Sequence, residues 1–306
     1  PGDVRSMSDP VIRRCGRVGI LGRPNVGKST LLNRLLGQKL AITSHKAQTT
    51  RHAILGIKTR PEGQILFVDT PGIHRRGGDA LNRYLNRAAR TAVLDADLAL
   101  FVVEALRWTP EDELALEAIL ASGVPAIVVV NKVDTLTQKA ELLPFLQGLS
   151  ERNGFLALIP VSALEGDGLE DLERAVVAAL PEGDPLFPED QITDRSERFF
   201  AAELLREQLV QRYGQELPYR TTVEIERFED QGGRYLIHAL VWVGRPGQKA
   251  IVIGKGGEAL KAAATQARLE MQKLFGCPVH LEVWVKVTKS WSSDEAALAS
   301  LGYRDA

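Results

Sequence analysis

The sequence predicts an α/β protein of two domains: a mostly parallel six-stranded sheet with flanking helices, followed by a smaller α+β domain. Three observations predict this fold. Apolar, β-branched runs alternate with helical patterns up to about residue 180. A stretch rich in proline and acids, Pro181 to Asp190, then interrupts the alternation. Beyond it the predicted elements follow the order α-β-β-α-α-β. The length of 306 residues also exceeds that of a usual single domain, which agrees with two domains.

The alternation in the first part indicates parallel strands covered by helices on both faces. We expect its strands at Val18–Leu21, Ile65–Val68, Leu98–Val103, Ala126–Val130 and Leu156–Val161, with an antiparallel edge strand at Ala53–Thr59. The helices are expected at Lys28–Leu36, Leu81–Val93, Glu111–Ala121, Gln138–Leu149 and Leu169–Leu180. We place this domain at residues 11–181 and the linker at 182–194.

The second domain is placed at residues 195–290 and a C-terminal tail at 291–306. Its expected helices are Arg195–Tyr213, Gln248–Ile253 and a third that ends near Phe275. Its expected strands are Thr221–Phe228, Tyr235–Val243 and Val279–Val287. Residues 231–289 hold nine Lys or Arg and three acids, although the whole chain has a net charge of −1. The local surplus of positive charge suits a polyanionic partner.

The composition, 44% hydrophobic and 25% charged, is that of an ordinary globular protein. Cys15 and Cys277 lie far apart without metal-ligand spacing, which favours a reducing compartment. No apolar run approaches the ~20 residues of a membrane span, and the start shows no signal-peptide pattern. We therefore expect a cytoplasmic protein, with Met7 as a candidate native start.

A glycine-rich loop follows the first predicted strand and leads directly into a helix. The loop consists of Gly22, Arg23, Pro24, Asn25, Val26, Gly27, Lys28, Ser29 and Thr30. Gly22 and Gly27 let successive backbone N–H groups surround a polyphosphate, and the helix adds its positive dipole end. Lys28 would contact the β- and γ-phosphates, and the Ser29 hydroxyl would bind Mg²⁺. This spacing predicts a nucleotide site.

An acid ends the buried strand at Ile65–Val68 and is followed by Thr70-Pro71-Gly72. Asp69 would hold Mg²⁺ through a water molecule, opposite Ser29. The Gly72 N–H would bind the γ-phosphate and be released when that phosphate leaves. With the intervening Thr70 and Pro71, these residues extend the predicted nucleotide site.

Polar residues after two later strands predict which base is bound. Asn131-Lys132-Val133-Asp134 follows one strand, and Ser162-Ala163 follows the next. The Asp134 carboxylate can accept two hydrogen bonds from the N–H edge of guanine, whereas adenine has no matching donors. Lys132 can cover the ring, Asn131 can join the base loop to the phosphate loop, and the Ala163 N–H can face the guanine oxygen. The predicted base is guanine.

These motifs resemble the five G motifs of the Ras-like P-loop GTPase superfamily, and the phosphate loop resembles the bacterial Era and tRNA-modification branch. Residues 39–52, which we call the first switch segment, are very similar to the first switch of the Era family. The resemblance implies GTP hydrolysis with Mg²⁺ held by Ser29, Asp69 and a switch threonine. We choose Thr50 as that threonine and keep Thr49 as the alternative, because the sequence does not settle the register.

One departure from the superfamily pattern concerns the attacking water. Ras-like enzymes commonly have Gln directly after the Asp-x-x-Gly motif, where this chain has Ile73. We expect slow intrinsic hydrolysis, with help from a partner, another switch residue or a cation. Related GTPases with Asn at the position of Asn25 use K⁺ beside the phosphates, so K⁺ is a candidate. The expected catalytic group is therefore Asn25, Lys28, Thr50, Asp69 and Gly72.

A second glycine-rich loop, Gly254 to Gly257, lies between the short helical turn at Gln248–Ile253 and the helix that ends near Phe275. Together with the element order and the local positive charge, it resembles the type II KH domain. The expected RNA-binding residues are Ile253, Gly254, Lys255, Gly256, Gly257 and Lys261, with Leu260 beside the base groove. Trp291 and Tyr303 are candidates to stack on bases, whereas Trp284, on an alternating strand, is expected to pack.

The Era-family resemblance spans about residues 11–303. It implies a monomeric GTP switch that binds the 3′ end of 16S ribosomal RNA and assists 30S subunit maturation, with peripheral association at the inner face of the cell membrane as a further expectation. Three alternatives stay open: a tRNA-modifying enzyme, which would need an additional folate-binding region; a membrane-associated signalling GTPase; and an ATP-dependent kinase, which conflicts with Asn131–Asp134.

Overall fold

The computed structural model describes residues 13–44, 46, 49–72, 80–152, 154–214, 217–289 and 291–301. The described chain forms a six-stranded sheet followed by a three-stranded sheet, each with its own helices. This confirms the predicted fold class.

The first sheet has the strand order β2-β3-β1-β4-β5-β6, in which β2 is antiparallel to β3 and the other pairs are parallel. Its strands are β1 (Arg14–Leu21), β2 (Ile54–Arg60), β3 (Gly63–Asp69), β4 (Leu98–Glu104), β5 (Ala126–Asn131) and β6 (Ala157–Pro160). Its helices are α1 (Lys28–Leu36), α2 (Ala80–Leu94), α3 (Pro110–Ser122), α4 (Leu142–Ser150) and α5 (Leu169–Ala179). The apolar strands are buried because helices cover both faces.

The predicted helix at Gln138–Leu149 is wrong at its start. A separate 3₁₀ turn spans Lys139–Glu141, and the α-helix begins only at Leu142. Pro144 lies in the first turn of α4, where its missing N–H has no intrahelical partner to lose. The proline therefore favours a helix that begins close before it.

The register of the parallel strands brings the ends of several strands to one edge. Ile20 of β1 is paired with Asp69 of β3, and Glu104 of β4 is paired with Asn131 of β5. Because these strands run in the same direction, the polar residues at their carboxyl ends meet along that edge. The first candidate site lies there.

The second sheet has the order β7-β8-β9, with β7 antiparallel to β8 and β8 parallel to β9. Its strands are β7 (Thr221–Asp230), β8 (Tyr235–Val243) and β9 (Val279–Val287). Its helices are α6 (Glu197–Arg212), α7 (Pro246–Ile253) and α8 (Glu258–Phe275). Side chains of α6 and α8 form a shared core with the sheet, and the element order is the predicted α-β-β-α-α-β.

The segment between the sheets lies against the first one. The buried Gln64 side chain accepts hydrogen bonds from the N–H groups of Leu186 and Phe187 at 2.9 and 3.0 Å and donates to the Phe187 carbonyl at 2.9 Å. The Ile57 N–H donates to the Ile192 carbonyl at 2.8 Å. These contacts join the segment to β2 and β3.

Two aromatic expectations are wrong. Trp291 is only 1% exposed and packs with Leu81 and Leu85 of α2, so its ring is not available to stack on a base. Trp284 is 46% exposed on β9, where its ring meets His238 edge-on at 5.3 Å. Tyr303 lies outside the described residues. Among the described helices, none combines the length and the hydrophobicity that a transmembrane segment needs.

Candidate nucleotide and RNA sites

The phosphate loop leaves β1 and turns into α1 through glycines with positive φ. Gly22 has φ +148°, and a Cβ atom there would lie 2.3 Å from the Val102 carbonyl oxygen. Gly27 has φ +99°, and a Cβ atom there would lie 2.3 Å from Nδ2 of Asn131. Neither position has room for a side chain. The loop thus keeps its backbone close to β4 and to the base loop.

Lys28 lies inside this loop. Its Nζ donates to the Gly22 and Arg23 carbonyl oxygens at 3.0 and 2.9 Å. Burial lowers the pKa of Lys28 to about 8, although the nearby Asp69 charge opposes the shift. An ammonium group held here by carbonyl oxygens can turn toward a phosphate, whose charge favours the protonated form.

Ser29, Thr50 and Asp69 converge beside the loop. The Ser29 hydroxyl donates to Oδ2 of Asp69 at 2.7 Å and lies 2.8 Å from Oγ1 of Thr50. Thr50 Oγ1 lies 3.4 Å from the same carboxylate oxygen. Oδ1 of Asp69 is buried without a hydrogen-bond partner, and burial raises the pKa of this carboxyl. An unpaired buried oxygen beside two hydroxyls fits a hard divalent cation such as Mg²⁺.

The structure separates the two switch threonines. Thr49 Oγ1 donates to the Lys46 carbonyl at 2.7 Å, whereas Thr50 faces Ser29. On the other side, the Thr70 hydroxyl donates to the Ile20 carbonyl at 2.8 Å. A Cβ atom on Gly72 would lie 2.8 Å from the Pro24 nitrogen. The residues after β3 therefore lie against the phosphate loop, while Ile73 falls outside the described residues.

Asn131 connects the phosphate loop to the base loops. Its Nδ2 donates to the Val26 carbonyl at 2.8 Å, and its Oδ1 accepts from the Ala163 N–H at 3.0 Å. The Ser162 hydroxyl donates to Oδ1 of Asp134 at 2.6 Å and accepts from the Glu165 N–H at 3.0 Å. Lys132 lies next to Asn131 and has a left-handed backbone conformation. The structure thus brings together the five residues expected around guanine: Asn131, Lys132, Asp134, Ser162 and Ala163.

Sequence reasoning missed an ion-pair network behind the loop. Arg23 pairs with Glu104, at the end of β4, and its Nε donates to Asp112 at 3.1 Å. Glu104 also lies 3.4 Å from Nζ of Lys132. The position of Glu104 at a strand end was an available signal, because Asp69 and Asn131 occupy equivalent ends.

The phosphate loop, the first switch segment and the base loops surround a cavity of about 990 Å³. Its lining includes Asn25, Lys28, Ser29, Thr50, Gly72, Lys132, Asp134 and Ala163. Gln211, from α6 of the second domain, also lines it. No sequence motif predicted a contribution from that helix.

The second candidate site is the loop between α7 and α8. Gly254, Gly256 and Gly257 all have positive φ, and Lys255 is exposed between them. A Cβ atom would clash with Ala259 at Gly254 but would meet nothing within 4 Å at Gly256 or Gly257. The open side of the loop leaves room for close approach of a nucleic acid backbone.

Side chains around the loop divide into core and surface. Ile253 and Leu260 are partly buried and pack on the core of the second domain, and Lys261 is exposed on α8. Ile251, which was not singled out from the sequence, is 59% exposed one turn before the loop. An apolar side chain next to exposed lysines is suited to contact bases while the lysines contact phosphates.

Comparisons with known proteins agree with both halves of this description. A family model described as a 50S ribosome-binding GTPase matches residues 17–132, and a KH domain model matches residues 216–292. GTPase Era from Stenotrophomonas maltophilia (strain K279a) is 54% identical over 97% of this chain and its own full length. GTPase Era from Azotobacter vinelandii is 55% identical over 98% of the chain and its full length.

Two solved structures are similar over nearly the whole chain. One is a variant of Aquifex aeolicus Era bound to GDP.AlF4⁻, with a TM-score of 0.92 and 38% identity over 95% of this chain and 100% of that one. The other is Era in complex with MgGDPNP and nucleotides 1506–1542 of 16S ribosomal RNA. It has the same TM-score of 0.92 and 38% identity over 96% of this chain and 100% of that one.

Proposed function

The chain belongs to the Era family of GTPases, and we propose that it is a GTP-operated switch that binds the 3′ end of 16S ribosomal RNA through its KH domain and assists maturation of the 30S subunit. The observation that carries the RNA part is the 0.92 TM-score with an Era structure that holds nucleotides 1506–1542 of that RNA. The proposed domain limits are residues 11–181 for the GTPase domain, 182–194 for the linker, 195–290 for the KH domain and 291–306 for the C-terminal tail.

In the first domain, the loop from Gly22 to Thr30 would hold the phosphates of GTP or GDP. Lys28 would place its ammonium on the β- and γ-phosphates. The base would lie between Lys132 and the Asp134 carboxylate, which is already oriented by Ser162. The Asn131 side chain keeps this base pocket at a constant distance from the phosphate loop through its bonds to Val26 and Ala163.

Ser29, Thr50 and Asp69 would hold Mg²⁺, whose charge neutralises the β- and γ-phosphate oxygens when it is bound. The buried Oδ1 of Asp69 without a partner supports this assignment. Removal of divalent cations with a chelator should therefore weaken binding of GTP and stop hydrolysis. The protein's own contribution is to place the Ser29 and Thr50 hydroxyls and the Asp69 carboxylate next to the loop.

Hydrolysis would depend on charge stabilisation more than on a positioned base. Lys28 and the backbone N–H groups of the loop stabilise charge on the phosphates, and the Gly72 N–H binds the transferred group. Asn25 lines the cavity with φ +66°, and we propose that K⁺ binds beside it. Equal turnover in Na⁺ and K⁺ buffers, with and without RNA, would contradict the proposed K⁺ site.

In the second domain, RNA would bind along the loop at Gly254–Gly257 and the start of α8. Gly256 allows a sharp test because its side-chain direction is open. Asp and Asn both tolerate its left-handed conformation and have nearly the same size, so Gly256→Asp and Gly256→Asn differ mainly in charge. Cells that carry each variant would be compared by RNA crosslinking.

We expect Gly256→Asp to lose the crosslink at the 16S rRNA 3′ end through repulsion of phosphates, whereas Gly256→Asn retains most of it. Accumulation of immature 30S subunits in the Gly256→Asp strain alone would support the maturation role. An unchanged crosslinking profile in both variants would contradict RNA binding by this loop.

The proposal also requires that the two sites communicate. Thr50 and Gly72 would contact the γ-phosphate group only in the GTP state, and binding energies of GTP and RNA would be coupled reciprocally. Equal affinity of the GTP-analogue and GDP forms for a 3′-end RNA, together with hydrolysis unaffected by RNA, would contradict a switch.

We further propose that the protein acts as a monomer in the cytoplasm, where its ribosomal RNA partner is found. Peripheral binding to the inner face of the cell membrane is the finer expectation, which flotation with anionic lipid vesicles would test. Vesicle binding that is lost in high salt would support attachment through the basic second domain, whereas no binding would contradict it.

A further inference from the structure

Helix α6 of the second domain presents buried charges to the first switch segment. Glu203, Arg206 and Glu207 are all buried, and Arg206 is only 1% exposed. Their spacing of three and four residues places them on one face of the helix. Phe200, one turn earlier, is buried in the core cluster that also contains Leu40 and the strands of the first domain. This face of α6 is therefore part of the contact between the domains.

The Arg206 guanidinium reaches the backbone next to Thr50. One of its terminal nitrogens donates to the Thr49 carbonyl at 2.5 Å. Glu203 holds the same guanidinium through hydrogen bonds of 2.8 Å to Nε and 2.6 Å to a terminal nitrogen. The Thr49 carbonyl belongs to the peptide unit that joins Thr49 to Thr50. Because a peptide unit is planar, fixing its oxygen restricts the direction in which Thr50 leaves it.

We propose that Arg206 is a positioning residue for the GTPase site: through the Thr49 carbonyl it directs the Thr50 hydroxyl toward Ser29 and Asp69. Thr50 Oγ1 lies 2.8 Å from Ser29 Oγ in this arrangement. The second domain thereby takes part in GTP hydrolysis without touching the nucleotide through Arg206 itself. This goes beyond nucleotide-dependent RNA binding, since the effect exists without RNA.

Further contacts from α6 hold the same segment. Glu207 accepts from the Thr43 N–H at 2.9 Å and from Nζ of Lys39 at 2.6 Å. Gln211, on the next turn, donates to the Thr43 carbonyl at 3.2 Å. These contacts anchor the beginning of the switch segment, while Arg206 acts near its end. The charged groups of α6 are buried, so they need their partners in the first switch segment. The position of the first switch segment therefore depends on α6.

The size of the effect follows from the chemistry of the contact. A hydrogen bond from a charged donor contributes about 1.5–3 kcal/mol, which corresponds to about 10- to 100-fold in an equilibrium or rate. Lysine at position 206 would keep the charge but lacks the planar fork that binds Glu203 and the carbonyl together. Arg206→Lys is therefore the informative change.

The inference rests on the proposed role of Thr50 as a Mg²⁺ ligand, so Thr50→Val is measured beside Arg206→Lys. Arg198→Lys is the matched control, because Arg198 lies on the same helix and donates to the Ile225 carbonyl within the second domain. Full-length proteins are compared without RNA. The measurements are the Mg²⁺ concentration needed to retain a non-hydrolysable GTP analogue, the affinity for GDP, and the hydrolysis rate.

We expect Arg206→Lys to raise the required Mg²⁺ concentration about 10-fold and to lower hydrolysis about 10- to 100-fold, with GDP affinity changed less than about twofold. Thr50→Val should give the same pattern, and Arg198→Lys should match the unmodified protein. If circular dichroism shows that Arg206→Lys does not fold, Glu203→Gln tests the same contact, because it loosens the guanidinium while Arg206 remains.

Two outcomes would overturn the role of Arg206. The first is that Thr50→Val raises the required Mg²⁺ concentration as expected, whereas Arg206→Lys or Glu203→Gln leaves it unchanged. The other is an equal loss of GTP-analogue and GDP affinity, which indicates general damage to the fold. If Thr50→Val itself behaves like the unmodified protein, the proposed ligand role of Thr50 fails and Arg206 has no hydroxyl to position.

Discussion

The Ser162 hydroxyl donates a 2.6 Å hydrogen bond to Oδ1 of Asp134. The bond orients the carboxylate while leaving Oδ2 and the remaining lone pair of Oδ1 available for the N–H edge of a base. Asp134 lines the cavity and lies where guanine is proposed to bind. A carboxylate held in one direction binds the matching base better than a mobile one, because its side chain loses less conformational freedom on binding.

Asp134→Asn should weaken GTP binding by about 100-fold or more, because two hydrogen bonds to a charged acceptor are lost and the new amide presents an N–H group to guanine donors. Ser162→Ala should cost only about 3- to 10-fold, since Asp134 keeps its charge and loses one orienting bond. Competition between GTP and ATP measures both. A GTP-to-ATP preference unchanged by Asp134→Asn would indicate that the site does not select guanine through this residue.

Asn131→Ala should affect two loops at once, because Asn131 bonds to Val26 and to Ala163. We expect nucleotide affinity to fall about 10-fold or more and the free energy of unfolding to fall by about 1–3 kcal/mol, since the buried Val26 carbonyl loses its partner. Nucleotide titration and urea unfolding give the two values. Thr135→Ala, which loses an exposed local bond to the Lys132 carbonyl, is the control for the base loop. Equal effects of the two changes would contradict a bridging role.

Trp291→Ala should lower the free energy of unfolding by about 3–5 kcal/mol, because a fully buried ring is removed from between α2 and the second domain. The indole N–H also donates to the Arg220 carbonyl at 3.2 Å. Trp284→Ala should cost less than about 1.5 kcal/mol, because that ring is half exposed and mainly meets His238. Urea unfolding followed by circular dichroism compares them, and a reversed order would refute the burial assignment.

Tyr235 should titrate well above the ordinary pKa of a tyrosine, which is near 10. Its hydroxyl donates to Glu197 at 2.6 Å, and this bond to a carboxylate raises the pKa of Tyr235 to about 12. Since the unfolded phenol titrates near pH 10, the contribution of this bond to stability is complete below about pH 10 and is lost as the pH rises toward 12.

Glu197→Gln should return the Tyr235 titration toward about pH 10, because the neutral amide does not repel the phenolate. Near-ultraviolet absorbance of phenolate follows the titration, and Tyr235→Phe identifies which of the five tyrosines contributes. An identical titration curve for Glu197→Gln and the unmodified protein would show that the Glu197 contact does not exist in solution.

Much of the fold was predictable because its determinants are local. The spacing of apolar residues located β8, β9 and α1 to the residue, and the order of glycines, Lys28 and Ser29 predicted a phosphate loop. The start of α4 was not predicted correctly, since a turn before Pro144 competes with a longer helix. Pro144 fits the first turn of a helix but not its interior, and it therefore favours the later start.

The kinds of site could be recognised from short motifs, because each motif lies within one loop, where neighbours along the chain set the backbone geometry and the chemistry. Which residues from distant segments meet at these sites depended on the tertiary fold. It placed Thr50 rather than Thr49 beside Ser29, buried Trp291 instead of Trp284, and brought Arg206 of α6 to the Thr49 carbonyl. These choices depend on packing between domains, and side-chain periodicity within one segment carries no information about which segment will lie against it.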